Sequence, residues 1–328
     1  MTRTTLESRW PSDFLHGEPN EPPDVPKANG SHRRKRLLLW LFVFTFLSTA
    51  WVGTTAWSPT IVMLTAWSDG SLHVMRCLIL ENGWAAILFA VSLLAILTAH
   101  ELGHYFMTRY YGIPATPPIF IPFPFHPIGT CGALIAMEGG NADRKQMFDI
   151  GIAGPLAGLV VAIPILFAGF YTNIEPSYSP QESFRLGQPL LIQLLADWLQ
   201  LSSFQSGEAL VNTRLNPFIM AAWAGLLVTG LNMMPMSQLD GGHVTFGLLG
   251  KHAIYVAYAA FASCIAFMVV YQQYSFALML GLVLLIGLRH PPSRNDDVTL
   301  GWFRHVLGWA SLSLPILCIP IEPFAFLF

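Results

Sequence analysis

Charge is what this sequence has least of. Lys, Arg, Asp and Glu make up 11% of the 328 residues and 53% are hydrophobic, whereas charged residues approach a quarter of a soluble globular chain. That balance excludes an ordinary soluble enzyme. The net charge of -2 offers nothing to a nucleic-acid backbone, and there is no basic patch outside the first loop. Cysteine is equally sparse. Cys77, Cys131, Cys264 and Cys318 form no CxxC pair, which argues against a disulfide frame or a zinc ribbon and leaves small apolar fillers. Cys131 falls near the site proposed below, yet no metal-ligand spacing includes it. There is no GxSxG stretch, so a serine nucleophile on a strand-to-helix elbow is disfavoured.

What the chain has instead is apolar runs of about 18 to 25 residues separated by short polar stretches, the mark of a polytopic membrane protein. Residues 1–31, rich in Pro, Glu, Asp and Ser, read as a disordered cytosolic tail. The cluster His32-Arg33-Arg34-Lys35-Arg36 abuts the apolar run Leu37 to Trp57, a retained first helix with a topology anchor. Trp57 and Trp67 suit a membrane interface. A second span is expected from about Trp84 to Tyr111 and is stopped by Gly112-Ile113-Pro114. Residues 113–140 are too dense in Pro and Gly for a helix, but apolar, so they are expected to be buried in protein or to line a cavity. Gly129 to Ile135 is the part most able to form a strand.

Further spans are expected near 147–171, 217–234, 253–271, 276–288 and 302–319, with an amphipathic run from Leu190 to Leu201 on the membrane surface. Gly154 and Gly158, four apart, predict a face that lets another helix approach closely. The expected fold is thus all-α and polytopic, with six to seven transmembrane helices and a membrane-embedded Pro/Gly-rich hairpin or strand. Its divisions are a tail (1–31), a first helix with an interfacial segment (32–83), a core (84–292) and a C-terminal transmembrane helix (293–328). With the tail inside, the cytosolic side receives the 32–36 cluster, Arg109, Arg144, Lys145, Lys251, Arg289, Arg294 and Arg304. The outside receives only Arg76, Arg185 and Arg214.

Chemistry is concentrated in Ala99-His100-Glu101-Leu102-Gly103-His104. On a helix His100 and His104 share a face one turn apart, so two imidazoles can grip one metal ion. A carboxylate from elsewhere is the usual third ligand, and Asp240 in Leu239-Asp240-Gly241-Gly242-His243 is the best candidate. The cation distribution places all three toward the cytosolic ends of their spans. Ionisable groups in an apolar helix are costly unless paired or metal-bound. Two neutral imidazoles and a carboxylate leave a fourth position for water, which zinc activates and Glu101 deprotonates as general base.

His243 is a weaker ligand candidate, because four protein ligands would leave no room for water. Asn232 either adds a side-chain donor for the oxyanion or substrate backbone, or satisfies local backbone beside Pro235. Gly241 and Gly242 are expected to permit the turn that aims Asp240. The strand at Gly129, Thr130 and Gly132 offers an edge for an extended peptide beside the metal. His73, His126, His252, His290 and His305 are expected to be solvated.

His100-Glu101-Leu102-Gly103-His104 paired with Asn232-Met233-Met234-Pro235 and Leu239-Asp240-Gly241-Gly242 resembles the site-2 protease family of intramembrane zinc metalloproteases. Gly129-Thr130-Cys131-Gly132-Ala133, the stretch Phe148 to Pro155, and His290-Pro291-Pro292 add to the likeness, which is to the branch without a PDZ insert, with its bacterial members and plastid relatives. Cys131, where relatives often carry Phe, and Asn232-Met233, in place of the frequent Asn-Pro, both concern substrate contact. The resemblance implies one Zn2+ per chain on His100, His104 and Asp240, Glu101 as base, and Asn232 holding substrate. It also implies cleavage of transmembrane protein substrates in signalling cascades, here in a bacterial inner membrane with the N terminus cytosolic. A transporter with an intramembrane metal site would carry inverted repeats, and none is visible. A non-catalytic scaffold is disfavoured because Glu101 is retained beside both histidines.

Overall fold

The four longest apolar helical stretches set the architecture: Arg33–Thr54, Met75–Tyr110, Arg144–Tyr171 and Asp240–Tyr271 are each long and apolar enough to cross a bilayer. The computed structural model describes residues 29–68, 73–137, 139–172, 174, 184–201, 204, 210–211, 215–291 and 293–326. The tail up to residue 28, Arg214 and Pro292 lie outside them. Residues 1–37 and 38–328 are separate compact units, the first described only from Asn29.

In chain order the elements are α1 (Asn29–Thr54), α2 (Pro59–Ser68), α3 (His73–Tyr110), β1 (Ile119–Pro122), β2 (Thr130–Leu134) and α4 (Arg144–Tyr171). Then come β3 (Phe184–Leu186), α5 (Leu190–Trp198), β4 (Leu210–Val211), α6 (Pro217–Asn232) and α7 (Asp240–Leu249). The chain ends with α8 (Ala253–Tyr271), α9 (Ala277–Ile286), α10 (Trp302–Ser311), α11 (Leu314–Cys318) and β5 (Phe324–Phe326).

Helix α3 starts eleven residues before the expected Trp84 and has 38 residues, about 57 Å of helix at 1.5 Å per residue. That exceeds a hydrocarbon core of about 30 Å. Helix α4 begins with a capping box. The Asp143 side chain accepts from the Gln146 N–H, and the Gln146 side chain accepts from the Asp143 N–H. The core is built where α3, α4, α6 and α7 pack together. Nearly all of α6 is buried, including Met220, Trp223 and Leu226. Helix α7 is buried from Gly241 to Leu248, whereas α8 buries only Ala253 and Ala257 and turns Tyr255, Val269, Val270 and Tyr271 outward.

Several elements differ from the sequence reading. Residues 302–319, expected as one span, form two short helices, because Pro315 at the start of α11 cannot continue the hydrogen bonding of α10. The run 190–201 does form a helix, but α5 packs on α11 through one face that buries Ile192 and Ala196. Two small antiparallel sheets join the helices: β1-β2, and β4-β3-β5, which brings the C-terminal end against residues 184–186. In the first, Ile119 pairs with Leu134 and Phe120 with Ala133, and the register slips before Pro122.

Candidate metal centre

His100 and His104 lie in the last three turns of α3, on the face toward α4 and α7. Such bulky rings fit between helices only where the partner helix has no side chain. At Gly154 of α4 a Cβ would overlap the His104 ring, and at Gly158 one would press on His100 at 3.2 Å. Gly103 faces the Ala153 carbonyl in the same way. The four-residue glycine spacing therefore does serve close approach, and what approaches is the imidazole pair.

Helix α7 delivers Asp240 as its first residue, where a carboxylate complements the helix N-terminus. Side chains at Gly241 and Gly242 would strike carbonyls of the preceding turn, those of Met233, Met234, Met236 and Ser237. Neither glycine has positive φ, so the pair serves close backbone approach.

The ligand atoms converge. Asp240 Oδ2 lies 3.2 Å from His100 Nε2 and 3.3 Å from His104 Nε2. Zinc bonds of about 2.0–2.2 Å in a tetrahedron put neighbouring ligand atoms about 3.3–3.6 Å apart, close to this spacing. The hydrogen bonding points the same way. His104 Nδ1 is 2.7 Å from the Ile150 carbonyl, which can only accept, so Nδ1 carries the proton and a neutral ring presents a bare Nε2. A bare Nε2 and a carboxylate oxygen 3.3 Å apart are then two donor atoms turned toward one point, an arrangement that a shared cation neutralises. His100, His104 and Asp240 are the one group of three or more His, Cys, Asp or Glu side chains among the described residues that could hold a metal ion. The donor set fits zinc.

Glu101 is 8% exposed and borders a cavity of about 180 Å³ with His104, Asp240, Asn232 and His243. The Asn232 amide nitrogen is 3.3 Å from His100 Nε2, within reach of anything held at the metal position. The same cavity is lined by Ala133, Leu134 and Ile135, at the end of β2. Strand β2 is paired on one side only among the described residues.

Other expected residues lie elsewhere. Gly129, at φ +80°, packs on Thr49 of α1, and its carbonyl accepts from the Ser48 hydroxyl at 2.6 Å. Thr130 is buried, with its hydroxyl donating to Ile121 O at 2.8 Å and accepting from the Gly132 N–H at 3.0 Å. These three shape the turn into β2 and are not among the residues lining the cavity. His73, His252 and His305 are exposed, whereas His126 and His290 are half-buried. His290 was expected in solvent, but it pairs with His243 at 2.7 Å. The Ile150 carbonyl and His290 were missed in the sequence; only the likeness at Phe148 to Pro155 and at His290-Pro291 marked their neighbourhoods.

The chain is similar in sequence to known proteins. A chloroplastic protein of Arabidopsis thaliana named probable zinc metalloprotease EGY1 is 30% identical over 240 residues, 72% of this chain and 43% of its own length. EGY2 of the same plant, likewise named a probable zinc metalloprotease, is 29% identical over 242 residues, 70% of this chain and 41% of that protein. EGY3 of Oryza sativa subsp. indica is 24% identical over 296 residues, 84% of this chain and 48% of that protein. The chain spans less than half the length of these curated relatives. The family model of Peptidase family M50 matches residues 88–272, a stretch that holds Glu101, Asn232 and all three converging ligand side chains. On that match the chain belongs to Peptidase family M50, the site-2 protease family.

Proposed function

We propose that this protein is an intramembrane zinc metalloprotease that hydrolyses peptide bonds in or near transmembrane segments of other membrane proteins. The observation that carries this is the meeting of His100, His104 and Asp240 beside a cavity that Glu101, His104 and Asp240 share with the end of β2, a strand paired on one side only among the described residues. Zinc, when bound, lowers the pKa of water and polarises the carbonyl to be attacked. Glu101 accepts the proton of the attacking water and returns it to the leaving amine as the C–N bond breaks. Asn232 donates its amide to the substrate carbonyl or backbone. The scissile segment, unwound from its helix, lies along β2, where Ala133, Leu134 and Ile135 supply backbone partners that lipid cannot. That places the substrate three to six residues beyond Gly129 and Thr130, which hold the turn.

The membrane arrangement is proposed with it. Helix α6, 16 residues and almost wholly buried, crosses inside the bundle, and with α9 brings the crossings to six. The Pro/Gly-rich segment 113–140 sits within the membrane zone as a hairpin, since Ile121, Phe123, Phe125 and Leu134 are exposed. Residues 84–292 form the protease core. The N terminus faces the cation-rich side, a placement that rests on Lys and Arg distribution alone; the relatives named above are chloroplastic and lend no support to a bacterial inner membrane.

The test is metal analysis of the purified full chain with cleavage of a quenched-fluorescent peptide containing an apolar helix. Wild type carries about one zinc per chain and cleaves. Glu101→Gln keeps the zinc and loses cleavage by about 10²–10⁴-fold, the usual worth of a positioned acid–base group. His104→Ala and Asp240→Ala lose both. Equal cleavage by wild type and Glu101→Gln refutes the assignment.

A further inference from the structure

His243 and His290 form a pair that the metal chemistry leaves unused. His290 Nδ1 lies 2.6 Å from the Pro291 carbonyl, and a carbonyl only accepts, so Nδ1 carries a proton. Burial pushes the His290 imidazole below its usual pKa, with Pro291 and Asp296 acting the other way. A neutral His290 then has a bare Nε2. That atom is 2.7 Å from His243 Nδ1, so His243 must donate from Nδ1. It follows that the Nε2 of a neutral His243 is a bare lone pair. No protein group among the described residues hydrogen-bonds it, and His243 lines the metal cavity together with Glu101, Asp240 and the end of β2.

The pair is rigid. The His290 ring stacks flat on Phe246, centroids 4.1 Å apart and planes 3° apart, and meets His243 edge to face at 4.9 Å. On the other side Gly151 of α4 admits the His243 side chain, where a Cβ would sit 2.7 Å from that of His243.

We infer that His290 is a positioning residue that locks His243 into the Nδ1–H tautomer, and that His243 Nε2 accepts a hydrogen bond from a backbone N–H of the substrate strand. An extended chain paired with β2 along one edge turns alternate N–H groups away from it. In a water-poor cavity such a donor needs a partner. Asp240 and His104 face the metal position and Glu101 handles the proton, which leaves His243 as the acceptor among the imidazoles and carboxylates that line the cavity.

The inference rests on the protease reading for its substrate, but its first test does not. Nitrogen-15 NMR of histidine-labelled full chain, zinc-loaded in micelles, reads the tautomer directly. Wild-type His243 shows a protonated Nδ1 and bare Nε2. His290→Leu mixes the tautomers, and His290→Gln, which keeps an acceptor, restores the wild-type signature. An unchanged His243 spectrum in His290→Leu overturns the positioning role. Zinc content stays at wild type in His243→Leu; its loss would make His243 a ligand and overturn the acceptor role.

With the quenched-fluorescent peptide, His243→Leu and His290→Leu cleave about tenfold more slowly, the scale of lost outer-shell hydrogen bonds, and His290→Gln recovers most of that rate. Replacing successive substrate amides by esters removes one N–H at a time. At one position the difference between wild type and His243→Leu disappears. A difference that survives at every position overturns the substrate contact. Failure of wild type itself to cleave sinks the protease reading, while the NMR result still decides the dyad.

Discussion

His104 is held at both ends of its ring. The Ile150 carbonyl holds Nδ1 while Gly154 leaves open the space that the ring occupies. Gly154→Ala should therefore displace the imidazole and weaken zinc about 10–100-fold in chelator competition, as loss of ligand-orienting groups does, with the helical content unchanged. Next to Ile150, Asp149 is gripped by Arg304 at 2.7 and 2.9 Å and receives the Tyr111 hydroxyl at 2.5 Å. These contacts tie α10 and the end of α3 to the turn of α4 that orients His104. Asp149→Asn breaks the fork, and about 2 kcal/mol of stability should be lost, read by thermal unfolding in detergent. The spacing of His100 and His104 was legible in the sequence because one helical turn is a local property. Asp240 was legible as a costly carboxylate near the end of a distant apolar span and through the likeness of Leu239-Asp240-Gly241-Gly242 to the family motif. His290 was not: its pairing depends on a loop returning to α7, and nothing local distinguishes it from a solvated histidine.

At the scale of elements, β2 and α4 do most to shape the site. The hairpin was legible as a strand because prolines and glycines forbade a helix, yet its cavity-lining part lies a few residues later than expected. The positive φ at Gly129 and the irregular register before Pro122 set that offset, and neither is written in the residue pattern. Ile135 follows β2 directly, and no other backbone group in the described residues claims its N–H. Ile135→Pro should leave zinc content at wild type and reduce peptide cleavage about tenfold through KM, the cost of one lost backbone hydrogen bond. Unaltered cleavage by that variant would move the substrate off this strand. The split of 302–319 into α10 and α11 shows the opposite limit. Its apolar content suggested a span, and a single proline, Pro315, set against a two-residue break decides otherwise.

On the scale of the whole molecule, buried and exposed apolar helices divide the labour. Helices α3, α4, α6 and α7 enclose the ligands, and α8 presents Tyr255, Val269, Val270 and Tyr271 outward, as a lipid-facing helix would. If the Lys and Arg distribution of the sequence sets the orientation as proposed, a reporter fused at the N terminus and one inserted beside Lys251 should report the same compartment. Opposite compartments would reverse the proposed path of the chain. The central claim remains that two turns of α3 and the start of α7 hold one zinc ion through two imidazoles and one carboxylate. X-ray absorption at the zinc edge of the purified full chain tests it most directly. The account predicts nitrogen and oxygen neighbours at about 2.0–2.2 Å, with two imidazole signatures in wild type and zinc lost in both His104→Ala and Asp240→Ala. Sulfur neighbours, or a spectrum that both substitutions leave unchanged, would contradict it.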